Sequence, residues 1–298
     1  MNLARALIFI CLFAVAACEA APVQIASFST ITTEIAREVG GDRVQVAGLV
    51  GPGVDPHAFE PTPEDLKVVA RADLVLTLGR HLENYVSKLR QSAGTKAVLL
   101  EVGNLLPSPK VQDEEAVEGG TGKQEEDPHW WHSIENMKQA TRVLGRAMEG
   151  LDPKGKAAYE HNADLYIARL DALESWARRG IALLPRDRRK LVTSHDAFHY
   201  FAAEYGFAIY PIQGLSTEDE PSSQKVARII EMIKREHVKA VFFESIENPK
   251  VITEITRESG AVPGGKLYAD GLGAENGDAA TYEGMFKHNV LTLVNALK

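Results

Sequence analysis

Three histidines lie at turns that border predicted strands or helices: His57, His129 and His195. His57 and His129 both end the tripeptide Asp-Pro-His, in which proline stiffens the backbone and lowers the cost of ordering a binding site. The aspartates of these tripeptides, Asp55 and Asp127, are placed to accept a hydrogen bond from an imidazole and so fix its tautomer. The pattern fits a metal site, and it fits simple turns equally well.

Other candidate ligands are weaker as single signals. Asp270 follows a short apolar segment and precedes a glycine, but Asp-Gly is the commonest turn dipeptide. His195 and His199 are four residues apart in a segment that we predict to be helical, a spacing at which two imidazoles could bind one metal. Packing of His199 against a neighbouring helix is the alternative. His132 and Glu60 stand near the same turns, and the sequence leaves their roles open.

The elements that must position these side chains alternate between strand and helix. Short apolar runs such as residues 74–78 are typical of strands buried on both faces of a parallel sheet. In residues 153–184, apolar side chains recur at steps of four and three, the stripe of one helix about 45 Å long. We therefore predict an α/β protein with two similar lobes, residues 22–150 and 189–298, each a parallel sheet flanked by helices, joined by this one long rigid helix. Ligands bind beyond the carboxyl ends of parallel strands, where the turns carrying the histidines should lie.

Composition excludes some classes of function. The chain has 298 residues and a formal net charge of −8, which argues against binding of a nucleic-acid backbone. Cys11 and Cys18 are its only cysteines. The mature domain therefore has no internal disulfide, and no thiolate ligands are expected at a metal site.

Two segments are predicted to lie outside the packed lobes. Residues 1–17 carry one positive charge and an unbroken apolar run, the pattern of a signal peptide, and residues 15–18 resemble a bacterial lipobox ending at Cys18. Ordinary cleavage near Ala17 or Ala21 is the alternative to lipid attachment. The protein should then be periplasmic, or lipid-anchored to a membrane and facing the exterior. Residues 107–126 are acidic and rich in Pro and Gly, so we predict a mobile loop there.

Five sequence stretches together resemble one known family, the metal-binding solute-binding proteins of ABC importers in the zinc/manganese group related to ZnuA and TroA. They span nearly the whole mature chain, and they are residues 51–65, 127–132, 193–199, 214–218 and 268–273. The Trp-Trp-His form of the second stretch looks most like the zinc-specific AztC-type branch.

The resemblance implies two lobes with one metal ion between them. By position, the implied ligands are His57 and His129 from the first lobe and His195 and Asp270 from the second. Manganese-binding relatives place a glutamate where this chain has His195. Three imidazoles and one carboxylate suit four-coordinate Zn²⁺, whereas manganese prefers more oxygen ligands. Accessory positions are expected among residues close to these ligands: Asp55, Glu60, Asp127, His132 and His199.

The resemblance also implies a function in transport. We expect a monomeric protein that is not an enzyme, with high affinity for one Zn²⁺ per chain, and that delivers zinc to an inner-membrane ABC permease and its ATPase. The acidic loop lacks the histidines of many zinc-binding relatives, so a periplasmic metallochaperone is a further candidate partner. Manganese or iron transport by the same fold is the main alternative. A zinc-dependent hydrolase is less favoured, because four protein ligands can fill the coordination shell and no HExxH motif is present. An adhesin role is left open.

Overall fold

The computed structural model describes residues 21–108, 110–112, 124–244 and 250–298. The predicted signal peptide and Cys18 lie outside these residues. No helix in the described ranges combines the length and the apolar character that a membrane span requires.

The first lobe is built on a fully parallel four-stranded sheet with the strand order β2-β1-β3-β4. Its strands are β1 (Val23–Ser27), β2 (Val44–Gly48), β3 (Leu74–Thr77) and β4 (Val98–Glu101). Its helices are α1 (Thr30–Gly40), α2 (Pro63–Arg71), α3 (Val86–Ala93) and α4 (Ile134–Leu151). A side chain caps the start of α2, since the Thr62 hydroxyl accepts from the backbone N–H of Asp65. β3 is buried throughout, as its unbroken apolar sequence predicts.

The acidic segment between β4 and α4 contains a short hairpin. Strands β5 (Lys110–Gln112) and β6 (Gln124–Glu126) pair antiparallel, with Val111 opposite Glu125. The segment predicted to be a mobile loop, residues 107–126, thus has a two-stranded ladder near its ends, while residues 109 and 113–123 lie outside the described part of the chain; its mobility stays a prediction. Backbone hydrogen bonds hold such a ladder, and composition alone does not reveal them.

The long predicted helix is α5 (Lys156–Ile181), preceded by a single 3₁₀ turn at Pro153–Gly155. Its buried face includes Tyr159, Tyr166 and Leu170, the stripe that the sequence predicts. Towards solvent, the Arg169 guanidinium lies 2.8 Å from Glu38 of the first lobe and 3.1 Å from Glu283 of the second. This helix thus contacts both lobes along one rigid axis.

The second lobe repeats the architecture of the first. Its parallel sheet has the strand order β10-β9-β7-β8. The strands are β7 (Lys190–Thr193), β8 (Ala208–Pro211), β9 (Ala240–Glu244) and β10 (Val262–Leu267). The helices are α6 (His199–Tyr205), α7 (Ser223–Arg235), α8 (Lys250–Ser259) and α9 (Tyr282–Leu297). The predicted two-lobed α/β fold is confirmed, and the limits given above for each lobe stay predictions.

One continuous apolar core joins the two lobes. It includes Leu76 from the first sheet, Trp131 before α4, Leu170 from α5, Phe242 from the second sheet and Phe286 from α9. Separating the lobes would expose this shared apolar surface to water, at about 25 cal/mol per Å². Large hinge motions are therefore disfavoured, and the space between the lobes is set by packing.

Candidate metal centre

Four predicted site residues meet between the lobes: His57, His129, His195 and Asp270. One potential ligand atom from each lies within 4.8 Å of the other three. The Nε2 atoms of all three histidines lie 3.4 Å from Asp270 Oδ1. His129 Nε2 and His195 Nε2 are 3.3 Å apart. All four side chains are buried, with exposed fractions between 0% and 6%.

The strand ends explain this convergence. His57 lies in the connection from β2 to α2, His195 follows β7, and Asp270 follows β10. His129 lies between β6 and α4, on the same side of the first lobe. The carboxyl ends of parallel strands open towards a common edge, so the two sheets present these turns to each other across the cleft.

Carboxylates fix the orientation of two of the imidazoles. Asp127 Oδ1 lies 2.8 Å from both the ring Nδ1 and the backbone nitrogen of His129. Glu244 is hydrogen-bonded to Nδ1 of His195, and its Oε1 also accepts from the backbone N–H of His195 at 3.1 Å. With Nδ1 donating to a carboxylate, each Nε2 presents its lone pair to the centre of the cluster.

Glu244 was missed by the sequence analysis. It is the last residue of β9 and is 3% exposed. The available signal was an acidic residue ending the apolar run Ala-Val-Phe-Phe, at the strand end where a site is expected. Pairing Glu244 with His195 requires knowing that β9 lies beside β7, which the chain order does not reveal.

The segment carrying Asp270 is held by groups of the first lobe. The carbonyl of Ala269 accepts hydrogen bonds from the indole nitrogen of Trp131, at 2.7 Å, and from Nε2 of His132, at 2.9 Å. The backbone N–H of Leu272 donates to the hydroxyl of Thr30 at 2.8 Å. His132 therefore positions the Asp270 segment instead of pointing Nε2 at the centre. Burial lowers the pKa of His132 to about 3, so its ring is neutral.

His195 and His199 do not share a helix, although the sequence predicts one that begins at His195. α6 begins at His199, so His195 lies on the preceding turn, where Asp196 donates its backbone N–H to the carbonyl of Gly214 at 2.9 Å. His199 instead pairs with Asp196 through Nε2 at 2.7 Å. The apolar pattern continues through this turn, and periodicity alone could not separate the turn from the helix.

Two further accessory predictions have different outcomes. Asp55 accepts the backbone N–H of His57 at 2.8 Å and the hydroxyl of Thr217 at 2.7 Å. It therefore supports the turn that carries a candidate ligand. Glu60 is exposed and is not part of the cluster of four.

Opposite electrostatic effects act on the histidines and the aspartate. Burial lowers the pKa of His129, but the hydrogen bond to Asp127 and the Asp270 carboxylate, 3.4 Å from Nε2, outweigh it and raise the pKa to about 8. Burial likewise acts to lower the pKa of His195, and the charges of Glu244 and Asp270 raise it well above its usual value. The pKa of Asp270 is raised by burial, yet the charge of His195 and the nearness of all three Nε2 atoms, 3.4 Å from Oδ1, hold it well below its usual value. These pKa shifts keep the Asp270 carboxylate anionic and favour positive charge on or beside the imidazoles.

Unsatisfied polar atoms identify what this arrangement lacks. His57 Nε2 and both carboxylate oxygens of Asp270 are buried and have no hydrogen-bond partner among the described residues. Unpaired buried polar atoms are costly unless a ligand satisfies them. Three imidazole nitrogens and one carboxylate are the donor set of a divalent transition-metal ion. The donors therefore fit such an ion.

Fold and site together define a two-lobed metal-binding protein. Residues 25–296 match the ZnuA family, described as "Zinc-uptake complex component A periplasmic", and the chain belongs to this family. It is a family of substrate-binding components of ABC importers, as the resemblance in the sequence implies.

The relatives are named for different metals. The manganese-binding lipoprotein MntA of Bacillus subtilis is 35% identical over 281 residues, covering 93% of this chain and 90% of that protein. The zinc-binding protein TroA of Treponema pallidum is 31% identical over 288 residues, with 95% and 91% covered. Its solved structure superposes with a TM-score of 0.84 at 29% identity, covering 93% of this chain and 99% of that one. The iron-binding protein YfeA of Yersinia pestis is 29% identical over 270 residues, with 91% and 85% covered.

Proposed function

We propose that this protein binds one Zn²⁺ ion between its lobes, through His57, His129, His195 and Asp270, and delivers it to an ABC-type importer. The observation that carries the proposal is the spacing of the four ligand atoms. A tetrahedral shell with bonds of about 2.0–2.1 Å to zinc has edges of about 3.3–3.4 Å. Four of the six edges measured here are 3.3, 3.4, 3.4 and 3.4 Å.

The second candidate cargo is manganese or iron. Asp270 Oδ2 is buried and has no hydrogen-bond partner in the described chain, so the carboxylate has a second oxygen to offer. A fifth ligand of this kind favours a metal with a higher coordination number. The names of the relatives MntA and YfeA support manganese or iron, just as the name of TroA supports zinc.

The transport setting follows from the family. Its description places the zinc-uptake component in the periplasm, and the MntA relative is named as a lipoprotein. We extend this location and this lipid anchor to the chain. It would be an extracytoplasmic protein, soluble or lipid-anchored, that acts as a monomer and passes metal to a permease and its ATPase. Delivery by a periplasmic metallochaperone and membership of the AztC-type branch are parts of the same proposal. Four protein ligands would leave no open position for a catalytic water, which argues against a zinc hydrolase.

The test is metal analysis of protein purified without added metal, followed by competition between Zn²⁺ and Mn²⁺. We expect one zinc per chain and displacement of bound manganese by equimolar zinc. Retention of manganese in the presence of equimolar zinc would favour the second candidate. Absence of tight binding to either ion would contradict a transport function.

The zinc affinity should begin to fall at a higher pH than it would if the ligands had the pKa of a free histidine. The pKa of His129 is raised to about 8, so the site holds a proton below that pH and zinc must displace it. The apparent dissociation constant should rise about tenfold per pH unit, for each displaced proton, as pH falls below about 8. Calorimetric titrations in buffers with different ionisation enthalpies would measure the released protons. An affinity that is constant between pH 8 and pH 6 would contradict this assignment.

A further inference from the structure

His57 is the least firmly held member of the cluster. The other three residues are buried, whereas His57 is only half-buried as a residue. His129 and His195 each have a carboxylate on Nδ1, and no described carboxylate pairs with Nδ1 of His57. Its loop, residues 49–62, contains no helix or strand. The ligand with the fewest restraints is the one that can leave the metal with least disturbance.

A cavity of about 880 Å³ lies beside this loop. Asp55, Ser194 and Thr217 line it together with the acids Glu218, Glu220 and Glu254, and apolar side chains such as Ile212 and Val251 share the lining. Asp55 is two residues from His57, and Ser194 immediately precedes His195, so the inner end of the cavity borders the metal centre. Carboxylates along such a cleft raise the local concentration of cations.

One hydrogen bond crosses between the lobes at this point. The hydroxyl of Thr217, in the connection from β8 to α7, donates to Asp55 Oδ2 at 2.7 Å. The other oxygen of Asp55 accepts the backbone N–H of His57 at 2.8 Å. A single carboxylate therefore ties the second lobe to the backbone of the least restrained ligand. Thr217 belongs to residues 214–218, one of the five stretches that carry the family resemblance.

We propose that the Asp55–Thr217 hydrogen bond is a latch over the metal centre, and that metal enters and leaves through the acidic cavity on the His57 side. Breaking the bond frees the loop of His57 while the shared core keeps the lobes together. Gly53, with φ of +77°, supplies backbone freedom within this loop. This inference rests on the proposed function, because it concerns the movement of the same cargo.

The test compares rates of zinc exchange in the full-length protein. Zinc-loaded protein is mixed with excess coloured chelator in a stopped-flow instrument, and zinc association is followed by tryptophan fluorescence, since the Trp131 ring lies 5.3 Å from that of His129. In Thr217→Val, loss of one hydrogen bond should raise both rate constants by about three- to tenfold. Because the latch closes the same route in both directions, the dissociation constant should change by less than about twofold.

Matched variants isolate the latch. Thr217→Ser keeps the hydroxyl and should exchange zinc at the wild-type rate. Thr256→Val removes a hydroxyl whose hydrogen bonds, in the part of the chain that the structure describes, lie within α8, and it should also have no effect. In the Asp55→Ala background, Thr217→Val should add no further acceleration, because the acceptor is already gone.

Two results would overturn the latch. One is a wild-type dissociation rate in Thr217→Val; the other is weaker affinity at an unchanged association rate, which would make Thr217 a support for ligand geometry. Failure of the wild-type protein to bind Zn²⁺ or Mn²⁺ would instead contradict the proposed function, before any variant is compared.

Discussion

Replacing His129 by alanine should weaken zinc binding by roughly a hundred- to thousandfold, since structural zinc sites bind with about 10–16 kcal/mol shared among four ligands. His129 is fully buried, and its Nε2 lies 3.4 Å from Asp270 Oδ1 and 3.3 Å from His195 Nε2. No other described histidine is in reach of the vacated position, because His132 is engaged with Ala269 and His199 with Asp196.

Competition titration against a chelator of known affinity would measure this loss. His161→Ala is the matched control, because His161 is an exposed histidine on α5 that lies outside the cluster. Circular dichroism should show that both variants remain folded. Zinc affinity within a factor of about three of wild type in folded His129→Ala would remove His129 from the metal site.

Replacing Glu244 by alanine should weaken zinc binding by about ten- to a hundredfold, the usual cost of losing a carboxylate that orients a metal-binding histidine. Glu244 bonds both the ring Nδ1 and the backbone N–H of His195. Without it, the tautomer and direction of the ring are no longer fixed, and the ring loses the charge that makes it a stronger base. Glu244→Gln keeps the shape and one acceptor, so its loss should be smaller.

The pH dependence separates this role from general damage to the fold. The charge of Glu244 contributes to the raised pKa of His195, so both variants should displace protons over a lower pH range. Glu258→Gln, an exposed acid on α8 that lies outside both the cluster and the cavity, is the control and should behave as wild type. Unchanged zinc affinity in Glu244→Ala, with the protein folded, would show that Glu244 has no part in positioning His195.

Local sequence was sufficient to predict much of the site. The Asp-Pro-His turns drew attention to His57 and His129, and strand–helix alternation placed His195 and Asp270 at strand ends. Each of these signals depends on residues a few positions apart. The family resemblance was needed to select these four residues as one set of candidate ligands, because their spacing alone fitted simple turns equally well.

Features that depend on long-range packing could not be predicted in this way. Glu244 reaches His195 only because β9 pairs with β7, and the Ala269 carbonyl meets Trp131 only because the lobes dock. The same holds for the hydrogen bond between Asp55 and Thr217, 162 positions apart. The start of α6 at His199 was also missed, because a turn with apolar side chains continues the helical pattern.

The shared core has a consequence for transport. Since α5 and one apolar cluster join both lobes, metal exchange should involve loops at the cleft in preference to wide opening. The exchange rates of the Thr217 variants address this point directly.

Binding of one metal ion by four side chains from two lobes can be seen by anomalous diffraction at the zinc edge, from crystals of zinc-loaded protein. We expect a single strong peak about 2.0–2.2 Å from the Nε2 atoms of His57, His129 and His195 and from a carboxylate oxygen of Asp270. A peak elsewhere, or one at this position that lacks any of these four contacts, would contradict it.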